Sequence, residues 1–353
     1  MEVSSSAKLI RKASLGEFFD RIRKSGWRIV GPVRATSPVI RREPGETPVL
    51  WKEVQALDQL DLHATQTTLS PKELFFPAVE TILKYRFTGQ KVEIDPLESD
   101  PPQTVLFGMR PCDARSLCTL DAVFGWDYHD HFYESRRAAT TIVSFVCTQP
   151  DDNCFCTSVG GGPGDTTGSD LLLTSVSESA YLVEVLSSKG EALVAAASEL
   201  FTPATGADDK LSCLPSIRKE PDAAGISQKL PSLFSQEHIW REQSLRCLGC
   251  GTCAYVCPVC TCFDMQDEAN LSSGKRLRCW DSCAFGLFTL HASGHNPRKT
   301  QAARWRQRVM HKFSYLPERL NVLGCVGCGR CSRACPADVN LKESLKQIVE
   351  IQG

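Results

Sequence analysis

Two runs of cysteine share one spacing: Cys247-x2-Cys250-x2-Cys253-x3-Cys257-Pro258 and Cys325-x2-Cys328-x2-Cys331-x3-Cys335-Pro336. Bacterial ferredoxins hold cubane 4Fe-4S clusters with this spacing, three close thiolates wrapping one cluster and the fourth reaching across to the other. Read in that way, Cys247, Cys250, Cys253 and Cys335 ligate one cluster, and Cys325, Cys328, Cys331 and Cys257 ligate the second. Gly249, Gly251, Gly327 and Gly329 are expected to let the backbone pass close to the inorganic core, and each proline to turn the chain away after the last ligand. Paired Cys-x2-Cys units also hold zinc, which makes a zinc-stabilised interaction module the rival reading. Two full copies, each with proline after the fourth cysteine, favour iron and sulfur.

Further thiols lie outside these runs. The spacer from Pro258 to Gly324 is longer than that of a small ferredoxin and reads as helical, in the manner of the two-cluster module of fumarate reductase iron-sulfur subunits. It contains Cys260, Cys262, Cys279 and Cys283, which are either ligands of an extra cluster or packed small side chains. Upstream, Cys112 follows the apolar strand Val105-Leu106-Phe107, Cys147 ends a strand over residues 141–146, and Cys154 and Cys156 come shortly after. Strand ends often meet at one edge of a sheet, so these four thiols could hold a third cluster, with Cys118 as a spare. Unpaired structural cysteines are the alternative. A catalytic thiol activated by Arg110 is another, although no His, Asn or Asp is marked out as its partner.

Other motifs carry less. Residues 160–164 (Gly-Gly-Gly-Pro-Gly) lack the ending of a P-loop and the spacing of a dinucleotide fingerprint, so they read as a loop covering the Cys154 region. Gly-x-Gly-x-x-Gly is absent, leaving a nicotinamide or flavin site in this chain unsupported. His291 and His295 have helix-face spacing for a metal, but Gly294 and Pro297 end any helix there, so they read as surface or capping histidines. Arg298, Lys299, Arg304, Arg306, Arg308 and Lys312 form a basic stretch, read as a solvated helix face or a docking surface for an acidic protein.

The elements that must position these residues follow from periodicity. Ser14 with Glu17 is a capping box opening an apolar helical face (Leu15, Phe18, Phe19, Ile22), Ser70-Pro71 starts a second helix, and strands fall at 27–30, 105–107, 141–146, 171–174 and 180–185. A helix is expected over 190–201. The fold class is therefore α+β: a mixed α/β domain over residues 1–201, a proline-spaced linker over 202–236, and a mostly α-helical two-cluster ferredoxin domain over 237–353. The last includes a helix over 301–313 and another capped by Asn340 and Glu343. Forty basic against 41 acidic residues give a net charge of -1, so no whole-chain field exists to hold nucleic acid or an anionic membrane. No run of 18 apolar residues suggests membrane insertion, and the start lacks the pattern of a signal peptide, so the chain reads as cytoplasmic. In that compartment 18 cysteines argue for metal or redox work and against disulfides.

With these residues in view, the chain resembles the iron-sulfur beta subunit of cytoplasmic sulfhydrogenases, the NADP-linked nickel-iron hydrogenases, and the related A subunit of anaerobic sulfite reductase. The resemblance rests on Phe107-Gly108-x-Arg110-Pro111-Cys112-Asp113, on Cys154-Phe155-Cys156-Thr157-Ser158, and on the extended Cys257-Pro258-x-Cys260-x-Cys262-Phe263-Asp264. It continues through Asp281-Ser282-Cys283, Gly294-x-Asn296-Pro297-Arg298 and the second ferredoxin repeat. What it implies is an electron-transfer subunit of a hetero-oligomer, placed between a hydrogenase or reductase catalytic subunit and a flavoprotein subunit that meets the nicotinamide. An iron-sulfur enzyme whose amino-terminal cluster has an open coordination position is a further alternative.

Overall fold

In the computed structural model, which describes residues 6–35, 47–95, 97, 99–204 and 210–351, the apolar strand runs lie in one eight-stranded sheet; the first residues, read above for a leader, lie outside that range. Its order is Phe201–Pro203 (β10), Ser6–Arg11 (β1), Ala180–Val185 (β9), Leu171–Ser175 (β8), Thr140–Phe145 (β7), Thr104–Met109 (β6), Arg28–Arg34 (β2) and Val49–Glu53 (β3). The central strands β2, β6, β7 and β8 are parallel. Every residue of β6 and β7 is buried, as expected of parallel strands covered on both faces. Alternation along the pleat sends Val105, Phe107, Val143 and Phe145 into one core and Leu106 and Ile142 into another.

The first of these cores contains the helix Leu15–Lys24, whose Leu15, Phe18, Phe19 and Ile22 are all buried. Each such side chain contributes roughly 2 kcal/mol when taken from water. The predicted capping box does not form: Ser14 ends a 3-10 turn and already has helical backbone angles, so its side chain makes no cap bond. Residues Pro71–Leu74 likewise make only a 3-10 turn, with Pro77 close behind it. The expected helix over 190–201 is a helix at Ser188–Ala195 followed by a 3-10 turn. In the second core, Leu117 and Leu120 of the helix Pro111–Phe124 pack beneath β6 and β7.

The carboxyl-terminal half departs from the sequence reading in two ways. Its spacer is not helical throughout: Phe263–Ala269 (β11) and Ser273–Trp280 (β12) form a hairpin that pairs with Val79–Thr88 (β4) and Lys91–Asp95 (β5) in an antiparallel sheet of order β11-β12-β4-β5. The polar alternation of these strands hid them, since β11 is exposed throughout and has no apolar face to read. The stretch over 202–236 also contains the helix Ala223–Leu233, with Pro231 in its last turn. Its Ile226, Leu230 and Leu233 share a core with Trp305, Val309, Phe313, Leu345 and Ile348, and with Phe155 and Val159 from the amino-terminal half. The helix Gln301–Met310 runs through a π turn, His311–Tyr315, into Leu316–Leu320. Asn340 caps the final helix, Leu341–Glu350, accepting from the Lys342 N–H at 3.0 Å.

Candidate metal centres

The parallel ladder sets Met109 opposite Ser144, and Cys112 and Cys147 each follow three residues later at the same sheet edge. Arg110, buried, ties that edge together by donating to the carbonyls of Val146 at 3.1 Å, Ala64 at 2.9 Å and Leu62 at 2.6 Å. Cys156 lies within electrostatic reach of both Cys147 and Cys112. Cys154 is buried beside them in sequence but turns its sulfur to the Asp151 carboxylate at 3.3 Å. The glycine-rich loop packs over the group, the Gly161 N–H bonding to the Cys156 carbonyl at 2.9 Å and the Cys147 N–H to the Pro163 carbonyl at 2.9 Å. Burial pushes the Cys154 thiol up to about 12 and the Cys156 thiol up to about 11, and it raises Cys112 despite Arg330 and Cys147 despite Arg110. An activated nucleophile needs the opposite shift, so the geometry does not favour a catalytic thiol.

The second ferredoxin repeat is pressed against this group. Gly327 (φ +64) and Gly329 (φ +73) have no room for a Cβ: at Gly327 it would stand 2.5 Å from the Phe155 carbonyl carbon and at Gly329 2.7 Å from the Asn153 oxygen. These two glycines therefore serve the close approach of two protein segments, sealed by the Phe155 N–H bond to the Gly327 carbonyl at 2.8 Å. Arg330, fully buried, donates to the Asp113 carboxylate, with Nη2 2.7 Å from Oδ2, and through Nε to the Thr67 carbonyl at 2.9 Å. Removing one partner of such a buried pair typically costs about 3 to 5 kcal/mol. The halves are interlocked, and Asp113 sits one residue after Cys112.

The two repeats bring their cysteines close to one another. Cys247, Cys250, Cys253 and Cys335 line one cavity, along with Cys331, Trp305 and Arg308. Cys257 and Cys328 are buried together with Val259 and Val326, and Cys112 and Cys260 pack against them. Cys325 lies within electrostatic reach of Cys331 and Cys257. Donors aim at several sulfurs, as they do around clusters: Gln301 Nε2 to Cys247 at 3.1 Å, Val339 N–H to Cys335 at 3.2 Å and Gly327 N–H to Cys325 at 3.4 Å. All eighteen cysteines are free of disulfides. Among the described residues, no three or more His, Cys, Asp or Glu side chains are gathered as ligands of a metal ion. A cubane instead takes each thiolate on a separate iron.

The basic stretch is not a solvated face throughout. Arg308 and Lys312 are 5% and 6% exposed, on the same helical stripe as Trp305, Val309 and Phe313. Arg308 donates to the Cys253 carbonyl at 3.1 Å, and Lys312 Nζ to the Cys257 sulfur at 3.4 Å and the Gly324 carbonyl at 2.6 Å. Arg306 stacks on Phe234, Arg304 caps the carbonyls of Arg298 and Lys299, and Lys299 is exposed, so a docking face on this stretch would exclude Arg308 and Lys312. From the other half, buried Lys72 donates to the carbonyls of Ala254 and Cys260, both at 3.1 Å, and stands over the Trp280 ring. Burial alone would raise the Cys257 thiol, but Lys312, Arg308 and Lys72 bring it below its ordinary value. Sequence reading missed Gln301 and Lys72 and misplaced Arg308 and Lys312. Their signal was a cation in the apolar register of a helix. His291 and His295 are exposed.

Comparison with known proteins agrees with this picture. The family model of a 4Fe-4S dicluster domain matches residues 246–339, the segment that carries both repeats. Over 343 residues, covering 95% of this chain and 96% of the relative, the chain is 33% identical to sulfhydrogenase 2 subunit beta of Pyrococcus furiosus. No solved structure matches. A likeness of that extent, with the dicluster domain in place, assigns the chain to the family of sulfhydrogenase beta subunits.

Proposed function

We propose that this chain relays electrons inside a hetero-oligomer, between a catalytic subunit of the nickel-iron hydrogenase type and a flavoprotein subunit that meets NAD(P). Two 4Fe-4S clusters are held by Cys247, Cys250, Cys253 and Cys335 and by Cys325, Cys328, Cys331 and Cys257. A third is held by Cys112, Cys147, Cys154 and Cys156. The observation that supports a relay most is the continuity of sulfur. Cys147 neighbours Cys156, Cys156 neighbours Cys112, Cys112 neighbours Cys328 and Cys328 neighbours Cys257, while Cys331 neighbours Cys253. Thiolate-bound clusters along such a path carry electrons singly, and the protein sets their potentials through burial, hydrogen bonds and nearby charge.

Nothing in the relay requires bonds of a substrate to be made or broken, and none of the four amino-terminal thiols is activated. Anaerobic reductive titration tests the reading. The oxidised full chain should take up about one electron for each cluster it carries, and the Cys156→Ala chain about one fewer. It should evolve no hydrogen and reduce neither sulfite nor a nicotinamide by itself. Sustained turnover of any of these by the purified chain would overturn the relay. Equal electron uptake by the Cys156→Ala chain would remove the amino-terminal cluster from it.

A further inference from the structure

Three buried cations lie beside thiols that the two ferredoxin repeats do not use. Lys72, Arg308 and Lys312 come from two distant parts of the chain, and among the described residues none has a carboxylate within ion-pair distance. Their partners are backbone carbonyls and sulfur: Ala254 and Cys260 for Lys72, Cys253 for Arg308, Cys257 and Gly324 for Lys312. Burying one unpaired charge costs several kcal/mol, so three in one region require a counter-charge of similar size nearby. The crossed ferredoxin clusters supply part of it. Lys72, however, donates to the carbonyls of both Ala254 and Cys260, and the spacer thiols Cys260 and Cys262 stand within its electrostatic reach along with Cys257.

Those thiols converge. The Cys262 side chain lies within hydrogen-bonding reach of those of both Cys260 and Cys283, and the three come from two separate segments on either side of the β11–β12 hairpin. The hairpin sets their fourth neighbour. The Asp281 N–H bonds to the Cys262 carbonyl at 3.0 Å, which places Cys262 opposite Asp281. Cys279, two residues earlier on β12, therefore projects on the same face of the hairpin as Cys262, at the diagonal distance. Tyr255, which donates to the Trp280 carbonyl at 3.2 Å, lies within electrostatic reach of both Cys260 and Cys279. Packed small side chains would need no cations around them. A cluster with four thiolates carries net negative charge and would meet Lys72, Lys312 and Arg308 as its counter-ions.

We propose that Cys260, Cys262, Cys279 and Cys283 hold a further iron-sulfur cluster, next to the one that Cys257 joins, with Lys72 as its buried counter-ion. The inference rests on the iron-sulfur reading above and adds a side branch or an additional step to the relay. The hairpin's role is then to deliver Cys279 and Cys283 back to Cys260 and Cys262.

The test compares the anaerobically purified full chain with its Cys262→Ala and Cys283→Ala variants, by iron and acid-labile sulfide per chain, by zinc content and by the EPR spectrum of the reduced protein. Each variant should lose about four irons and four sulfides. Each should also keep the signals that Cys250→Ala and Cys328→Ala remove. Should an alanine variant fail to fold, Cys262→Ser and Cys283→Ser, which keep the side-chain size, carry the same comparison. Iron equal to that of the parent in folded variants would overturn the site, as would zinc lost in place of iron. A parent chain with no iron at all would overturn the relay reading itself, an outcome distinct from both. Lys72→Met gives an independent readout: the iron should stay, while the potential of the signal lost in Cys283→Ala should fall. A potential unmoved by Lys72→Met would contradict the counter-ion role.

Discussion

Replacing Cys257 by alanine should strip the cluster held by Cys325, Cys328 and Cys331 and leave the one held by Cys247, Cys250 and Cys253. The iron content should fall by about four per chain. The reason is spatial. Cys257 is buried with Cys328 and lies within reach of Cys325, whereas Cys335, the last cysteine of the other repeat, lines the cavity of Cys247, Cys250 and Cys253. Four variants make the assignment readable in EPR. The spectrum left in Cys257→Ala should match that of Cys328→Ala, and the spectrum left in Cys335→Ala should match that of Cys250→Ala. If Cys257→Ala pairs with Cys250→Ala instead, each repeat holds its own cluster and the crossing is wrong.

Lys312→Met should lower the potential of the cluster joined by Cys257. Its ammonium is buried and 3.4 Å from the Cys257 sulfur. Reduction adds negative charge to the cluster, and a fixed positive charge favours the reduced form, so removing the charge makes the cluster harder to reduce. At a separation of several ångströms and an effective dielectric near 20, one charge is worth about 2 kcal/mol. For a one-electron carrier that is on the order of 100 mV. Lys312→Arg keeps the charge and should move the potential far less, which separates electrostatics from lost packing. Redox titration followed by EPR reads both variants. A potential unchanged in Lys312→Met would show that the cation is structural.

The dicluster domain was legible because four residues at fixed spacing must meet one object, and spacing is what a sequence displays. The amino-terminal thiols were legible through the strands: β6 and β7 are fully buried parallel strands, so their ends fall at one edge, and Cys112 and Cys147 fall there with them. Less legible was everything set by long-range packing. The β11–β12 hairpin reads as part of a helical spacer because β11 is exposed throughout and shows no apolar strand face, and its partner β4 lies almost two hundred positions away in the chain. The helix Ala223–Leu233 was masked by the prolines around it, although Ile226, Leu230 and Leu233 keep helical spacing. Gly327 and Gly329 have the left-handed backbone that glycine permits, but what they approach is the segment from Asn153 to Cys156. Arg308 and Lys312 looked like a solvated face because cations usually are solvated. Their register with Trp305, Val309 and Phe313 pointed inward.

That inward register bears on how the protein works. Cations drawn into a core of thiols stabilise negative charge at fixed places, and a relay needs that where electrons stop. The same cations would be costly around neutral, empty thiols. Chains depleted of iron should therefore be less stable than loaded ones, the clusters supplying charge as well as bonds.

Whether the cysteines hold iron-sulfur clusters that accept and release electrons is read in the visible spectrum of the anaerobically purified full chain. The protein should be brown, with broad absorption that bleaches on reduction by dithionite and returns on reoxidation, and with iron and acid-labile sulfide in equal amounts of at least about eight per chain. A colourless protein that contains zinc and shows no change on reduction would contradict it.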